Sequence, residues 1–327
     1  MKRLIVTFDD GSAGALMGTG LADRVVPFGL GFVWGELKPQ DELDLFLSPR
    51  SAWPDSSHWL DHFTGDWFKK PGNRDLGFVE FCARFETVEL WVDSMPNTQL
   101  QTIWLLDHLR PRANGLELTL RHVDSRLGEI EPARLAKMNF PAVAIDDHHF
   151  EIASLAWQAF RAPTPHAWFD LLVKDLSILP QLRRCVLEML EELPGRTTGL
   201  GASEMRMLEL IAAGYEHPFD VFPHHRERFQ RRVFGYWKAG ALLERLALAP
   251  TPAVSGLAEW PFTLDMHDDP VRLPRYKESR ISLTEFGKAI VAHKEDFSRH
   301  NPIDRWWGGT HLTNENLWRW NQALIAP

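Results

Sequence analysis

The chain has 327 residues and a mass of 37.6 kDa, enough for about two domains with cores of their own. Hydrophobic residues make up 44% and charged residues 24%, which excludes a disordered chain, and two cysteines exclude a disulfide-stapled scaffold. The net charge of -8 opposes binding to a phosphate backbone unless basic residues cluster: residues 1–150 carry -7, residues 151–327 carry -1, and residues 221–250 carry +4.

The first run, Leu4 to Phe8, reads as a strand, followed by the turn Asp9-Asp10-Gly11-Ser12-Ala13-Gly14 and a helix from Ala15 to Arg24. Val25 to Trp34 reads as a second strand with glycines that admit another backbone, and Thr87 to Val92 as a third. Thr98 and Gln101 stand at capping-box spacing, so a helix is expected to start there, and Leu116 to Val123 closes the series as a fourth strand. Strands alternating with helices predict an α/β domain over residues 1–130 built on an open, mainly parallel sheet.

From Pro132 the pattern turns helical, and the apolar face running from Ile178 to Leu193 completes a connecting segment over residues 131–194. Pro194 to Gly201 reads as a linker. Beyond it, a helix capped by Ser203, a second helix from Pro223 to Leu246, extended runs at Trp260–Leu264 and Arg280–Leu283, and a helix from Thr284 to Lys294 follow the order of a winged helix over residues 195–300. Residues 301–327 form a tail with Trp306, Trp307, Trp318 and Trp320, too much apolar area to leave in water. It is expected to dock on its own chain, or to act as a lid that lends Arg305 and His311 to a ligand.

Four groups of residues could carry chemistry. Asp10, Gly11, Ser12 and Gly14 lie where a strand, a turn and a helix N-terminus offer backbone N–H groups to an anion, although the adjacent carboxylates oppose a polyphosphate unless a cation bridges them. Ser12 as a plain helix cap is the alternative. Trp34, Glu36, Trp91, Asp93 and Gln99 stand at or after other strand ends, where rings and carboxylates could converge on one crevice or simply plug and cap. Asp146-Asp147-His148-His149 lacks metal-binding spacing, so no metal ligands are assigned, and no cofactor is specified by any motif. The basic run His224 to Arg232 spreads its charge over all faces of a helix, which disfavours nucleic acid as a partner.

Cys82 and Cys185 read as core thiols of a reducing cytosol. The start shows no signal peptide and no run long enough to span a membrane, so a cytoplasmic protein is expected.

The opening strand with Asp10-Gly11-Ser12-Ala13, Phe32-Val33-Trp34-Gly35-Glu36, Leu90-Trp91-Val92-Asp93 with Gln99-Leu100-Gln101, and the tail Arg305-Trp306-Trp307-Gly308-Gly309 with Trp318-Arg319-Trp320 resemble the bacterial family known as domain of unknown function 1835. Leu179-Pro180 through Glu192-Leu193-Pro194, then Gly199-Leu200 and Glu204, resemble the helical companion often fused behind it. The family's first loop more often reads Gly-Asp-Ser where this chain has Asp10-Gly11-Ser12. The resemblance covers nearly the whole chain and implies the architecture; it brings no activity. Two classes of function remain: a small anionic or nucleotide-like ligand held in the α/β half, or a winged-helix regulatory or interaction protein meeting nucleic acid or a protein partner.

Overall fold

A computed structural model describes residues 2–52, 57–62, 75–113, 115–223 and 226–327. The chain forms two compact units. The first comprises Met1–Phe32, Leu37–Arg161 and Val173–Cys185; the second comprises Val33–Glu36, Ala162–Leu172 and Val186–Pro327.

The first unit is a mixed α/β layer. Its strands are β1 (Arg3–Thr7), β2 (Arg24–Pro27), β3 (Thr87–Asp93), β4 (Leu118–Val123) and β5 (Val143–Ala144), ordered β2-β1-β3-β4-β5. All pairs are parallel except β4 with β5, which is antiparallel. Leu4, Ile5, Val6, Leu90 and Val92 are inaccessible to solvent, as the inner strands of a sheet covered on both faces require. The helices are α1 (Asp10–Met17), α2 (Gln40–Leu47), α3 (Phe78–Cys82), α4 (Pro96–Leu109), α5 (Pro132–Leu135) and α6 (Asp147–Arg161). α4 packs on both β3 and α6, and its polar side chains brace loops: Gln101 donates to Phe8 C=O and accepts from Leu30 N–H, while Asn97 accepts from Phe32 N–H and donates to Leu30 C=O.

Local physics moves several expected boundaries. α1 begins at Asp10, because Asp9 is extended and its carboxylate takes the N–H of Ser12 at 2.8 Å and its hydroxyl at 2.6 Å; Ser12 is the capped residue, not the cap. β2 stops at Pro27, so Trp34 is not a strand end. α4 opens at Pro96, whose ring pre-sets the first helical turn, with Met95 in the cap position instead of Thr98. Residues 132–161 are part of the first unit and form no separate connecting body.

The second unit is mainly helical: α7 (His166–Asp170), the latter part of α8 (Leu182–Leu190), α9 (Ala202–Ala212), α10 (Arg226–Phe229), α11 (Tyr236–Leu248), α12 (Arg272–Glu278), α13 (Glu285–Val291) and α14 (Phe297–His300). The helix expected over Pro223–Leu246 is divided between α10 and α11, with Gln230 left-handed at φ 61° and Gly235 capping α11; His224 and His225 lie outside the described residues. α9 is capped by Gly201 with Glu204 reaching back to its N–H, which frees Ser203 for another partner. β6 (Val254–Ser255) pairs antiparallel with β7 (Ser282–Leu283). Of the two extended runs, only the second contains a strand. Trp260–Leu264 contributes Phe262 to a ring cluster with Trp237, Phe222 and Tyr276.

The tail folds as two hairpins, β8 (Asp304–Trp307) with β9 (Thr310–Thr313) and β10 (Arg319–Trp320) with β11 (Leu324–Ile325). Trp307 is buried, donates its indole N–H to Met189 C=O at 2.7 Å and meets Trp168 edge-on. Trp318 is buried against His166, while Trp306 and Trp320 are half-buried.

Candidate functional site

In a sheet of order 2-1-3-4-5, the direction in which strands are added reverses between the parallel neighbours β1 and β3, and the crevice beyond their C-terminal ends is the default ligand position. Asp9, Ser12 and Asp93 meet there. Their polar atoms, however, serve the chain itself. Asp9 holds Ser12, and the Asp93 carboxylate accepts from the N–H groups of Met95 at 3.0 Å and Leu127 at 3.2 Å. Burial pushes the Asp93 carboxyl up; the Met95, Thr98 and Leu127 donors oppose that, and the nearby Asp9 charge adds to it. Gly128 seals the turn: a Cβ on it would stand 2.9 Å from Gly11 C and 3.0 Å from Ser12 N, so backbone lies where an anion would sit.

The other residues named for this crevice are dispersed. Asp10 and Gly11 occupy the exposed first turn of α1, and Gly14 lies in the helix interior facing open space. Gln99 is buried and donates to Asp93 C=O at 2.6 Å. Trp91 is core: its N–H goes to Glu89 at 2.9 Å, Phe140 meets its edge, and it packs among Ile5, Leu16 and Leu135. Trp34 and Glu36 belong to the second unit, Glu36 on its exposed surface.

That second unit holds a cavity of about 230 Å³. Trp34, Phe234, Trp306 and Trp307 supply aromatic wall, and Val33, Met189 and Leu242 add aliphatic surface. Trp34 stands perpendicular to Phe234 with ring centres 5.7 Å apart, and the Lys238 ammonium lies 5.5 Å from the Trp34 ring centre. The cavity therefore unites Trp34 and Arg305, two residues singled out in the sequence at opposite ends of the chain.

Its polar end is built on α9 and α11. Glu192 is buried and accepts from Ser203 N–H at 3.1 Å and Ser203 Oγ–H at 2.7 Å, with Arg231 3.7 Å away. Burial pushes its carboxyl up to about 7, against the pull of Arg231 and Ser203. Burial also presses Glu204 upward, but Arg305 and Arg245 outweigh it and hold this carboxyl below the ordinary glutamate range. Arg305 is committed: it donates to Glu204 at 2.9 Å and to Glu192 C=O at 3.3 Å. Arg245 is not. It faces Glu204 Oε1 at 4.0 Å, beyond hydrogen-bonding range, and among the described residues its guanidinium donates no hydrogen bond to the protein. His311 lies behind the wall, stacked on Trp306 with centres 4.6 Å apart and paired with Asp304 at 2.7 Å.

Glu192, Phe234 and Arg245 escaped the sequence reading. The available signal was faint: Arg245 adjoins the buried stripe Leu242, Leu243 and Leu246, and Glu192 interrupts the apolar run of Met189, Leu190 and Leu193. The basic run is engaged internally, Arg231 with Glu191 at 2.5 Å and Arg232 with Glu188 at 2.8 Å. Among the described residues, no three His, Cys, Asp or Glu side chains gather as a metal site, and no helix is long and apolar enough to cross a membrane. The chain matches no protein-family model and no curated protein sequence.

Proposed function

We propose that this protein binds a small, flat organic anion in the cavity of its second unit, the ring lying among Trp34, Phe234 and Trp306 and the acidic group meeting Arg245. The observation that carries the reading is a guanidinium whose hydrogen-bond donors are open, its one ion pair being at 4.0 Å. Arg305 is neutralised by Glu204, and Glu192 is attended by Ser203 and Arg231, which leaves Arg245 as the cation with donors to offer. A dry cavity of about 150 Å³ accepts benzene, so about nine or ten non-hydrogen atoms suit this one. The expected anionic ligand is retained, but its place moves from the α/β edge, where Asp9, Asp93 and Gly128 already occupy the donors and the space. The resemblance to the domain of unknown function 1835 family is consistent with this reading and adds no activity to it.

Phenylacetate, with ten non-hydrogen atoms, is a suitable probe. Titration followed by calorimetry and tryptophan fluorescence should show saturable one-to-one binding, and Arg245→Met should weaken it by about tenfold or more, the usual worth of a charge-assisted hydrogen bond. No binding at millimolar probe, or equal binding by the variant, would refute the proposal.

A winged-helix contact role is the second reading, favoured by the packing of α9 against α11, α13 and the antiparallel β6–β7 pair. Nucleic acid would then have to draw Arg231 and Arg232 away from Glu191 and Glu188, so a protein partner suits this surface better.

A further inference from the structure

We infer that the site has a second compartment on the far side of Arg245, and that together they hold an anion with a flat ring on one side of its acidic group and a short uncharged chain on the other. This rests on the binding reading above and specifies its ligand. The same unit contains another cavity, of about 280 Å³, bounded by Leu248, Ala249, Pro250, Phe297, Pro302 and Glu244. Arg245 borders both cavities.

The geometry of α11 accounts for this. Leu242 faces the first cavity, Arg245 both, and Leu248 and Ala249 the second, so steps of three and four residues run along one stripe of the helix. At a rise of 1.5 Å per residue, Leu242 and Ala249 lie about 10 Å apart along the axis. Arg245 therefore lies between the two spaces along this stripe, within reach of a ligand that extends into both.

Chemistry narrows the occupant. The first compartment is walled by flat rings and takes the aromatic end. The second is lined mostly by hydrocarbon, with Leu248 49% exposed and available for cover. Glu244, which accepts the Phe262 N–H at 2.9 Å, also borders it and repels a second negative charge. An acid carried in the middle, with ring and alkyl chain diverging from it, satisfies all three regions.

Phenylacetate and 2-phenylhexanoate test this, because they differ only by a butyl chain on the carbon bearing the carboxylate. Each methylene fully buried is worth about fourfold in affinity, so one enantiomer of 2-phenylhexanoate should bind at least about tenfold more tightly than phenylacetate. Ala249→Trp, which fills the second compartment, should abolish that advantage while leaving phenylacetate binding intact. Leu248→Ser, at an exposed position, should reduce it in the same direction and guards against misfolding of the first variant. Equal affinity of the two acids, or an advantage that survives both substitutions, overturns the second compartment and leaves the first. If neither acid binds, or only the longer one does, both readings fall.

Discussion

Replacing Glu192 with Gln tests the electrostatics of the site without a ligand. The amide keeps one oxygen for the Ser203 N–H, presents its NH2 to the Ser203 hydroxyl, which can turn to accept, and removes the buried negative charge. In the folded protein the carboxyl is pushed from the ordinary 4.5 up to about 7, so the folded state holds its proton to higher pH than the unfolded chain does. The contribution of this carboxyl to stability is therefore intact below pH 4.5, drains away as pH rises toward 7, and is gone above it. The shift corresponds to about 3 kcal/mol. His122, which burial pushes down to about 4, gains stability with pH over an overlapping range, and would mask the effect in the wild type alone. Glu204, held low, acts only below the ordinary glutamate range. The His122 contribution cancels in the difference between wild type and Glu192→Gln, and that of Glu204, which is coupled to Glu192, falls below the pH range compared. Urea unfolding from pH 4.5 to 8.5 should show the variant gaining on the wild type by up to about 3 kcal/mol, with half the gain near pH 6. Parallel curves would show that Glu192 titrates as an ordinary glutamate, and a variant losing ground as pH rises would reverse the argument.

Trp307→Ala should cost about 3–5 kcal/mol in urea unfolding, since it empties a buried ring site and orphans Met189 C=O, while Trp307→Phe should cost less than half as much. Gly256→Ala should be far worse than Gly214→Ala, although both glycines have positive φ: a Cβ at 256 collides with the Arg280 carbonyl, whereas 214 faces open space and should cost about 1 kcal/mol. Equal melting temperatures for the two would contradict this. Ser12→Ala removes a hydroxyl held by Asp9 and should cost about 1 kcal/mol while leaving phenylacetate affinity unchanged. Reversing the charge of Arg231 and Arg232 should lower the melting temperature by setting them against Glu191 and Glu188; specific duplex binding by the wild type, lost in a folded double variant, would favour the winged-helix reading instead.

The sheet was legible because its evidence is local. Four apolar runs rich in Val, Ile and Leu, each followed by a turn, suffice to indicate parallel strands, and three of the four begin and end within two residues of the strand they contain. The exception shows what local evidence misses. Val25 to Trp34 is apolar throughout, but Pro27 has no N–H for the ladder, Phe28 makes the last bond to β1, and from Leu30 on the chain is held by Gln101 and Asn97 from α4 instead. Reading that run as one strand made Trp34 its end, whereas β2 stops at Pro27 and Trp34 belongs to the second unit. A similar substitution of partners explains Ser12, Thr98 and Ser203, three residues with capping chemistry. Each turns its side chain to a carboxylate: Asp9, Asp93 and Glu192.

The cavity was less legible because its making is not local. Trp34 and Arg305 could be noticed singly, as a ring beside glycine and a cation in a Trp-rich tail, but nothing along the chain says that 270 intervening residues bring them to one place. What joins them is burial of charge. Glu204 is a helix-capping residue in sequence terms, yet once α9 is buried its carboxylate needs a cation, and Arg305 answers from the tail at 2.9 Å. That pairing fixes β8, and β8 carries Trp306 and Trp307 to the wall of the cavity. Arg245 stands 4.0 Å from the same carboxylate, outside hydrogen-bonding range. One buried carboxylate thus holds Arg305 by a hydrogen bond and Arg245 only by charge, and the proposed ligand contact rests on that difference. Glu204→Gln should accordingly loosen the tail hairpin, seen as faster hydrogen exchange across β8 and β9, before it disturbs α11; unchanged exchange in the hairpin would show that the Trp packing alone holds the tail and that Glu204 does not organise the site.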